Sequence, residues 1–297
     1  MRENTKKILR SDLTFDIVVN VIGAVIVLIV LVPLIFVLAA SFSDPDLVIR
    51  GEVLLWPKGF TTEAYTMVFE NEDIWRGFVN SCFYTAAGTA ISVVLTVLAA
   101  YPLSRKNFMG RNIFMMMILF TMYFNGGMIP TYLLVKNLGM YNTVWALLIP
   151  AALSTYNLIV AKTFFENSIP GELYEAGTLD GCNNMQMLLR IVLPLSKAIL
   201  AVLVLYYAVG IWNAYFDALI YIRDSDMHPL QIVLRNILLL GQTEQMGTND
   251  AGMAEKVKMA EAVKYSAIVV SSIPMLLIYP FVQKYFVKGV MIGAVKG

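Results

Sequence analysis

The chain has 297 residues, of which 58% are hydrophobic and 14% charged, and a formal net charge of +1; its mean hydropathy is +0.69. Soluble domains carry roughly 25% charged residues, so this much apolar surface calls for hydrocarbon as solvent and excludes a soluble enzyme. Near-neutrality gives no footing for a nucleic-acid partner.

Crossing about 30 Å of bilayer core takes about 20 apolar residues in a helix. The first apolar run, 17–40, is too long for the core of a signal peptide and reads as a retained helix; Pro33 within it is tolerated in a membrane. Further crossings are expected at 78–104, 113–135, 143–165, 195–222 and 263–286, six in all, within one transmembrane domain spanning 1–297. Asn125-Gly126-Gly127 and Pro130 interrupt the far end of the third. Basic residues set the orientation. Arg2, Lys6, Lys7 and Arg10 precede the first crossing, Arg105, Lys106 and Arg111 follow the second, and Lys284, Lys288 and Lys296 accompany the end of the sixth, whereas the connection after the third has only Lys136. Both termini are therefore expected in the cytoplasm, together with segment 167–194, while 223–261 forms a long outer loop. In that loop 230–240 is apolar at near-helical spacing and 241–252 is rich in turn residues. Cys82 and Cys182 fall in a helix and a loop and are not expected to pair; with the lone His228, a loop residue, they make no metal site.

Segment 167–194 is patterned more closely than a passive connection requires. Pro170 suits the first turn of a helix, with Glu172 and Glu175 near its positive end. Leu173, Ala176, Gly177 and Asp180 recur at i, i+3, i+4 and i+7 and so share a face, a mostly small one, as a helix lying in a groove needs. Gly181 is placed to end that helix in the left-handed conformation. Asn183 and Gln186 have the spacing of a capping box for a second helix. Its apolar stripe is Met185, Leu188, Leu189 and Val192, and Pro194 is expected to break the chain before the fifth crossing. A structured loop packed only on its own helices is the plainer reading of the same pattern.

The run Ile169-Pro170-Gly171-Glu172-Leu173-Tyr174-Glu175-Ala176-Gly177-Thr178-Leu179-Asp180-Gly181, followed by Ile191-Val192-Leu193-Pro194, resembles the EAA loop of ABC-importer permeases. That pattern reads E-A-A, three residues, G, nine residues, I-x-L-P. Gly177 stands for the second alanine, which costs about 1 kcal/mol of helix propensity but keeps the face small. The resemblance implies an all-α membrane protein of the type I ABC importer permease fold, with six transmembrane helices and a cytoplasmic coupling helix that docks on an ATP-hydrolysing subunit. Coupling would fall to Glu172, Glu175, Ala176, Gly177, Asp180, Gly181, Ile191, Leu193 and Pro194. Further stretches resemble the carbohydrate class, the branch of the maltose importer's smaller permease: Ala99-Ala100-Tyr101-Pro102-Leu103-Ser104-Arg105, Trp212-Asn213, and the tail from Ile278 to Gly297. Within that class the tail resembles a Gram-positive subgroup linked to oligosaccharides of plant or algal polysaccharides, such as pectin fragments. What this implies is a permease subunit of the bacterial plasma membrane that forms half of an oligosaccharide path. Its implied partners are a second, different permease chain, two ATP-binding subunits and an extracellular or periplasmic sugar-binding protein. The tail residues Lys288, Gly289 and Gly293 would reach the ATPase interface, and the outer loop would enter the opened binding protein.

There is no G-x-x-x-x-G-K-[S/T] loop and no H-E-x-x-H. ATP and Mg are therefore expected on the partner subunits, with no cofactor, metal or catalytic residue in this chain. Candidates for a solute path are Tyr123, Asn125, Tyr156, Trp212, Asn213 and Asp217, because aromatic rings stack on sugar faces while amides and carboxylates bind hydroxyls. An interfacial aromatic belt and interhelical hydrogen bonds are the plainer reading of most of them. Asp217 stands apart, since a charge at depth is costly unless it faces a polar cavity. The small cluster from Ala86 to Ala90 is expected to be a packing surface. Two other functions fit the composition, a permease for a non-sugar solute such as a polyamine or phosphonate and a membrane enzyme or scaffold. The carbohydrate-class tail argues against the first, and the loop pattern with no catalytic cluster argues against the second.

Overall fold

A computed structural model describes residues 2–244, 260, 263–280 and 283. Regular structure among them is helical throughout. In chain order the helices are α1 (Arg2–Ser41), α2 (Pro45–Ile49), α3 (Glu63–Glu70), α4 (Glu72–Ser104), α5 (Arg111–Tyr123), α6 (Met128–Asn137), α7 (Trp145–Leu148), α8 (Thr155–Ser168), α9 (Gly171–Leu179) and α10 (Asn184–Met187). A π-helical stretch, Leu188–Val192, leads into α11 (Leu193–Leu195), α12 (Lys197–Asn213), α13 (Phe216–Tyr221), a 3₁₀ turn at Ser225–Met227 and α14 (Leu230–Glu244). The last described helix is α15 (Val263–Pro280).

The expected crossings take the form of three continuous helices and three interrupted ones. Phe15–Ser41, Glu72–Ser104 and Val263–Pro280 are each long and apolar enough to span a bilayer. The third expected crossing, 113–135, is instead α5 and α6 joined at a 114° bend. Gly127 there has φ +91°, and the Asn125 side chain accepts its N–H at 2.9 Å. The fourth, 143–165, is broken between α7 and α8, because Pro150 has no N–H to continue the α7 ladder. The fifth was expected to begin after a break at Pro194. The bend of 84° falls instead at Ser196, between Asn184–Leu195 and Lys197–Asn213. Pro194 is accommodated by the π-helical stretch before it, in which Leu193 N–H reaches back to Leu188 O. The same crossing stops at Asn213, whose side-chain amide donates to Val209 O at 2.8 Å and so competes with the backbone ladder.

The described residues form two compact units, one from 1–71 with 236–271 and one from 72–235 with 272–297. In the first, the most apolar 18-residue stretch of Phe15–Ser41 has a mean hydropathy of 3.4 and none of it is buried within the protein, as in a helix solvated by lipid or another chain. Where α1 ends, its polar groups are satisfied locally. Ser43 Oγ donates to Ala39 O at 2.6 Å and accepts from Lys58 N at 3.1 Å, and Ser41 Oγ lies 2.8 Å from Tyr65 Oη. Phe42 stacks on Phe60 at 5.7 Å and lies tilted to Tyr65 at 4.8 Å.

The second unit is organised around α4. From Arg76 to Arg105 the helix and its last turn rise about 43 Å at 1.5 Å per residue, the thickness of a bilayer with its headgroups. Within the small cluster of α4, a Cβ on Gly88 would come within 2.8 Å of Ile211 and 3.3 Å of Leu148, so α12 and α7 approach its backbone directly. The core beside it holds Val97 and Ala100 from α4, Ala161 and Phe165 from α8, and Ile199 and Leu203 from α12. Inside it, Tyr207 Oη lies 2.6 Å from Thr96 Oγ1 and accepts the Ser154 N–H at 3.1 Å.

Candidate functional sites: a docking helix and a polar cavity

The EAA-like segment folds as its spacing dictates. α9 begins after Pro170 with Glu172 in its first turn. Its end is a Schellman turn: Cys182 N–H donates to Gly177 O at 2.9 Å, Gly181 N–H donates to Thr178 O at 3.1 Å, and Gly181 sits at φ +76°. The capping box follows at once. Gln186 N–H donates to Asn183 Oδ1 at 2.8 Å, and Asn183 N–H donates to Gln186 Oε1 at 3.0 Å.

Which face of α9 turns outward differs from the expectation in one residue. Glu172, Leu173, Glu175, Ala176, Leu179 and Asp180 are exposed, Leu179 by 88%. Tyr174 and Gly177 are buried. Gly177 was expected on the outward face, and it faces the body of the permease instead. A Cβ there would meet Met187 Cε at 2.6 Å and Ile191 Cδ1 at 3.0 Å, so this glycine is a close-approach point between α9 and the helix after it. Ile191 and Leu193 pack against the same core as Tyr174, while Gly181 and Pro194 are exposed.

Sequence reasoning passed over Tyr174, the anchor of the segment. It belongs to the core with Tyr101, Phe165 and Met187, and the Arg105 guanidinium stacks 3.5 Å from its ring centroid, a cation–π contact. Burial pushes the Tyr174 phenol up, more than the neighbouring Arg105 lowers it. The visible signal was its i, i+3 spacing to Gly177. Near the same end of α4, Glu166 pairs with Lys162 and with Arg111, the latter at 3.2 Å. The hydrogen bond from Lys162, followed by the charges of Lys162 and Arg111, holds the Glu166 carboxyl below its usual range despite desolvation.

Toward the other end of α4 lies a cavity of about 380 Å³. Its walls include Ser81, Tyr84, Asn157, Tyr206, Asp217 and Pro229. Of the six path candidates, Asp217 lines it. Tyr156 stands 6.3 Å from Tyr206, ring to ring, outside the lining. Trp212 is 3% exposed and packs edge-on against Phe78, Asn213 is engaged with Val209 O, and Asn125 closes the turn at Gly127. Tyr123 is exposed on α5, away from the cavity lining. The structure therefore brings Asp217 together with Asn157, Tyr206 and Tyr84 and leaves the other candidates elsewhere.

The segment from Asp224 to Leu230 is tied to α4 beside this cavity. Arg76 pairs with Asp226. Asn80 Nδ2 donates to Asp226 O at 2.7 Å and His228 O at 3.1 Å, Tyr84 Oη donates to Met227 O at 2.8 Å, and Ser81 Oγ accepts from Leu230 N at 2.9 Å. Asn142, in the left-handed region at φ 56°, accepts with one side-chain oxygen from both Arg223 N at 2.8 Å and Asp224 N at 3.0 Å. Cys82 and Cys182 are unpaired thiols, and no cluster of metal-ligating side chains occurs among the described residues.

Residues 92–292 match the family described as "Binding-protein-dependent transport system inner membrane component". The chain belongs to that family. The polygalacturonan/rhamnogalacturonan transport system permease protein YtcP of Bacillus subtilis is 41% identical over 95% of this chain and 98% of its own, and protein LplC of the same organism is 42% identical over 93% and 91%. Among solved structures, a bacterial ABC transporter involved in the import of the acidic polysaccharide alginate matches with a TM-score of 0.84 and 35% identity, covering 93% of this chain and 98% of the matched one. The permease is thus a multi-pass membrane subunit of an ABC importer, a transport component and not an enzyme. Importers of this kind work with ATP-hydrolysing subunits and a solute-binding protein.

Proposed function

We propose that this permease forms half of the translocation path of an oligosaccharide importer and that α9 is its coupling helix. One observation carries the second part: α9 is fixed to the core by Tyr174 and Gly177 while its opposite face, with Glu172, Glu175, Ala176 and Asp180, is exposed. A helix locked on one side and open on the other transmits a push without yielding. Support for the oligosaccharide comes from the relatives, whose names specify polygalacturonan, rhamnogalacturonan and alginate. The second half is a different permease chain, two ATP-binding subunits carry ATP and Mg, and a binding protein delivers the sugar from outside. The basic residues beside the crossings favour cytoplasmic termini, with α9 on the cytoplasmic side.

When nucleotide draws the ATPases together, the exposed face of α9 moves with them. Because Tyr174, Met187 and Leu188 share the core of α4, α8 and α12, those helices follow. The coupling is the difference in nucleotide affinity between the inward-open and outward-open states. The tail contacts assigned to Lys288, Gly289 and Gly293, and residues 245–259 of the outer loop assigned to the binding protein, lie outside the described residues.

Gly181→Val tests this reading. The site has room for a side chain, with nothing within 4 Å of a Cβ. Only the left-handed backbone resists, at about 1–2 kcal/mol, so the turn between α9 and α10 deforms. Transport in the assembled importer is expected to be lost while the binding protein retains its sugar; uptake at the wild-type rate would reject the assignment of α9.

A further inference from the structure

The polar groups lining the cavity divide into those bonded within the protein and those with nothing to do. Tyr84, Ser81, Tyr207 and Ser154 all line it, and each hydroxyl is engaged: Tyr84 with Met227 O, Ser81 with Leu230 N, Tyr207 with Thr96 and Ser154 N, and Ser154 with Asn157 N. Three lining groups remain. The Asp217 carboxylate, the Asn157 side-chain amide and the Tyr206 hydroxyl have no hydrogen-bond partner among the described residues. Asn157 is only 6% exposed, and its amide keeps its access at the cavity wall. Such a group persists where a ligand or water completes it. The cavity, about 380 Å³, falls within the range of small-ligand sites, about 300–1,000 Å³.

The chemistry of the three groups is specific. An ionised carboxylate only accepts hydrogen bonds, an amide both donates and accepts, and a phenol offers a hydroxyl beside an aromatic face. No Lys or Arg lines the cavity. A carboxylate brought there would face Asp217 without a countercharge, in a poorly solvated space where like charges repel strongly. We infer that this cavity is a solute subsite for the uncharged, hydroxyl-bearing part of a saccharide, with Asp217 accepting from its hydroxyls and turning uronate carboxylates away. The inference rests on the oligosaccharide reading and deepens it. Two of the relatives named above are described by acidic polysaccharides, polygalacturonan and alginate, so any acidic group on this permease's solute would be held elsewhere in the path.

The test uses the whole importer in lipid nanodiscs, without binding protein, and measures affinity for a neutral arabinose oligomer and for a galacturonate oligomer of equal length. Wild type is expected to bind the neutral oligomer more tightly. Asp217→Asn keeps size and removes charge, and it is expected to shrink the neutral-to-uronate affinity ratio by about tenfold, the weight of one hydrogen bond to a charged group. Because the ratio is taken within one preparation, incomplete assembly cancels. Asn157→Ala serves as a second variant and is expected to weaken both sugars together. An unchanged ratio in Asp217→Asn overturns the charge selection. Wild-type uptake of sugar without measurable binding of either oligomer overturns the subsite and leaves the transport reading intact, whereas a complete importer that takes up no sugar sinks that reading itself.

Discussion

The segment from α9 to α11 and the Asp217 cavity sit toward opposite ends of α4, and they solve opposite problems. In the first, the backbone groups at both turns find partners: the Schellman bonds close α9, the capping box opens α10, and Tyr174 fills the core under a guanidinium. In the second, the frame is fully bonded while Asp217, Asn157 and Tyr206 are left with unmet capacity. A part that transmits force must be stiff, and here stiffness follows from closed backbone turns and close packing, even though the Tyr101 and Ser196 hydroxyls at this end are buried with no hydrogen-bond partner among the described residues. A part that receives a solute must keep polar groups waiting, at some cost in stability.

If that contrast is right, substitutions in the two regions move stability in opposite directions. The largest effect is expected at Gly177. A Cβ there would crowd Met187 Cε and Ile191 Cδ1, side-chain ends that a leucine would force to move together, so Gly177→Leu should destabilise by about 2 kcal/mol, within the range for overpacking, and abolish sugar-stimulated ATP hydrolysis. Adding Met187→Ala removes the obstructing atoms and should restore part of both, which a melting curve and an ATPase assay on the double variant would show. The cavity should behave in reverse. Asn157→Leu exchanges an unmatched amide for an apolar group of similar size and is expected to raise stability by about 1 kcal/mol while lowering sugar uptake; a loss of stability would place Asn157 among the structural groups.

The smallest effect is expected from pH at Glu166. Its carboxyl is held below the ordinary range, so its contribution is present above the unfolded-state value, about pH 4.3 for a glutamate, and is lost as pH falls through the lower folded-state value. Glu166 is partly exposed, so solvent screening limits the effect to about 1 kcal/mol or less. Thermal melts across the acid range should show a decline in wild type that Glu166→Gln flattens.

The stiff region was legible in the sequence because its information is local. Gly181, Asn183, Gln186 and Pro170 act within one or two turns, and spacing alone places them. Gly177 was read on the wrong face because what crowds it, Met187, arrives through a turn whose geometry no periodicity encodes. Interruptions at Asn125 to Gly127 were visible as glycines, whereas the break at Ser196 was read at Pro194, since a π-helical stretch can absorb a proline without ending the helix. The cavity was barely legible. Asp217 announced itself as a charge in an apolar run, but its companions come from α4, α8 and α12, and residues so distant in sequence are joined only by the packing. Trp212 and Asn213 looked as polar and aromatic as the true lining and turned out to serve their own helix and core.

The single oxygen of Asn142 receives the amide hydrogens of both Arg223 and Asp224. Two connections distant in sequence are thereby pinned at one atom, and a movement of the Asn142 side chain frees both amides at once. Their exchange with deuterium should then follow one opening event, which makes the pair a natural reporter of when this end of the permease breathes.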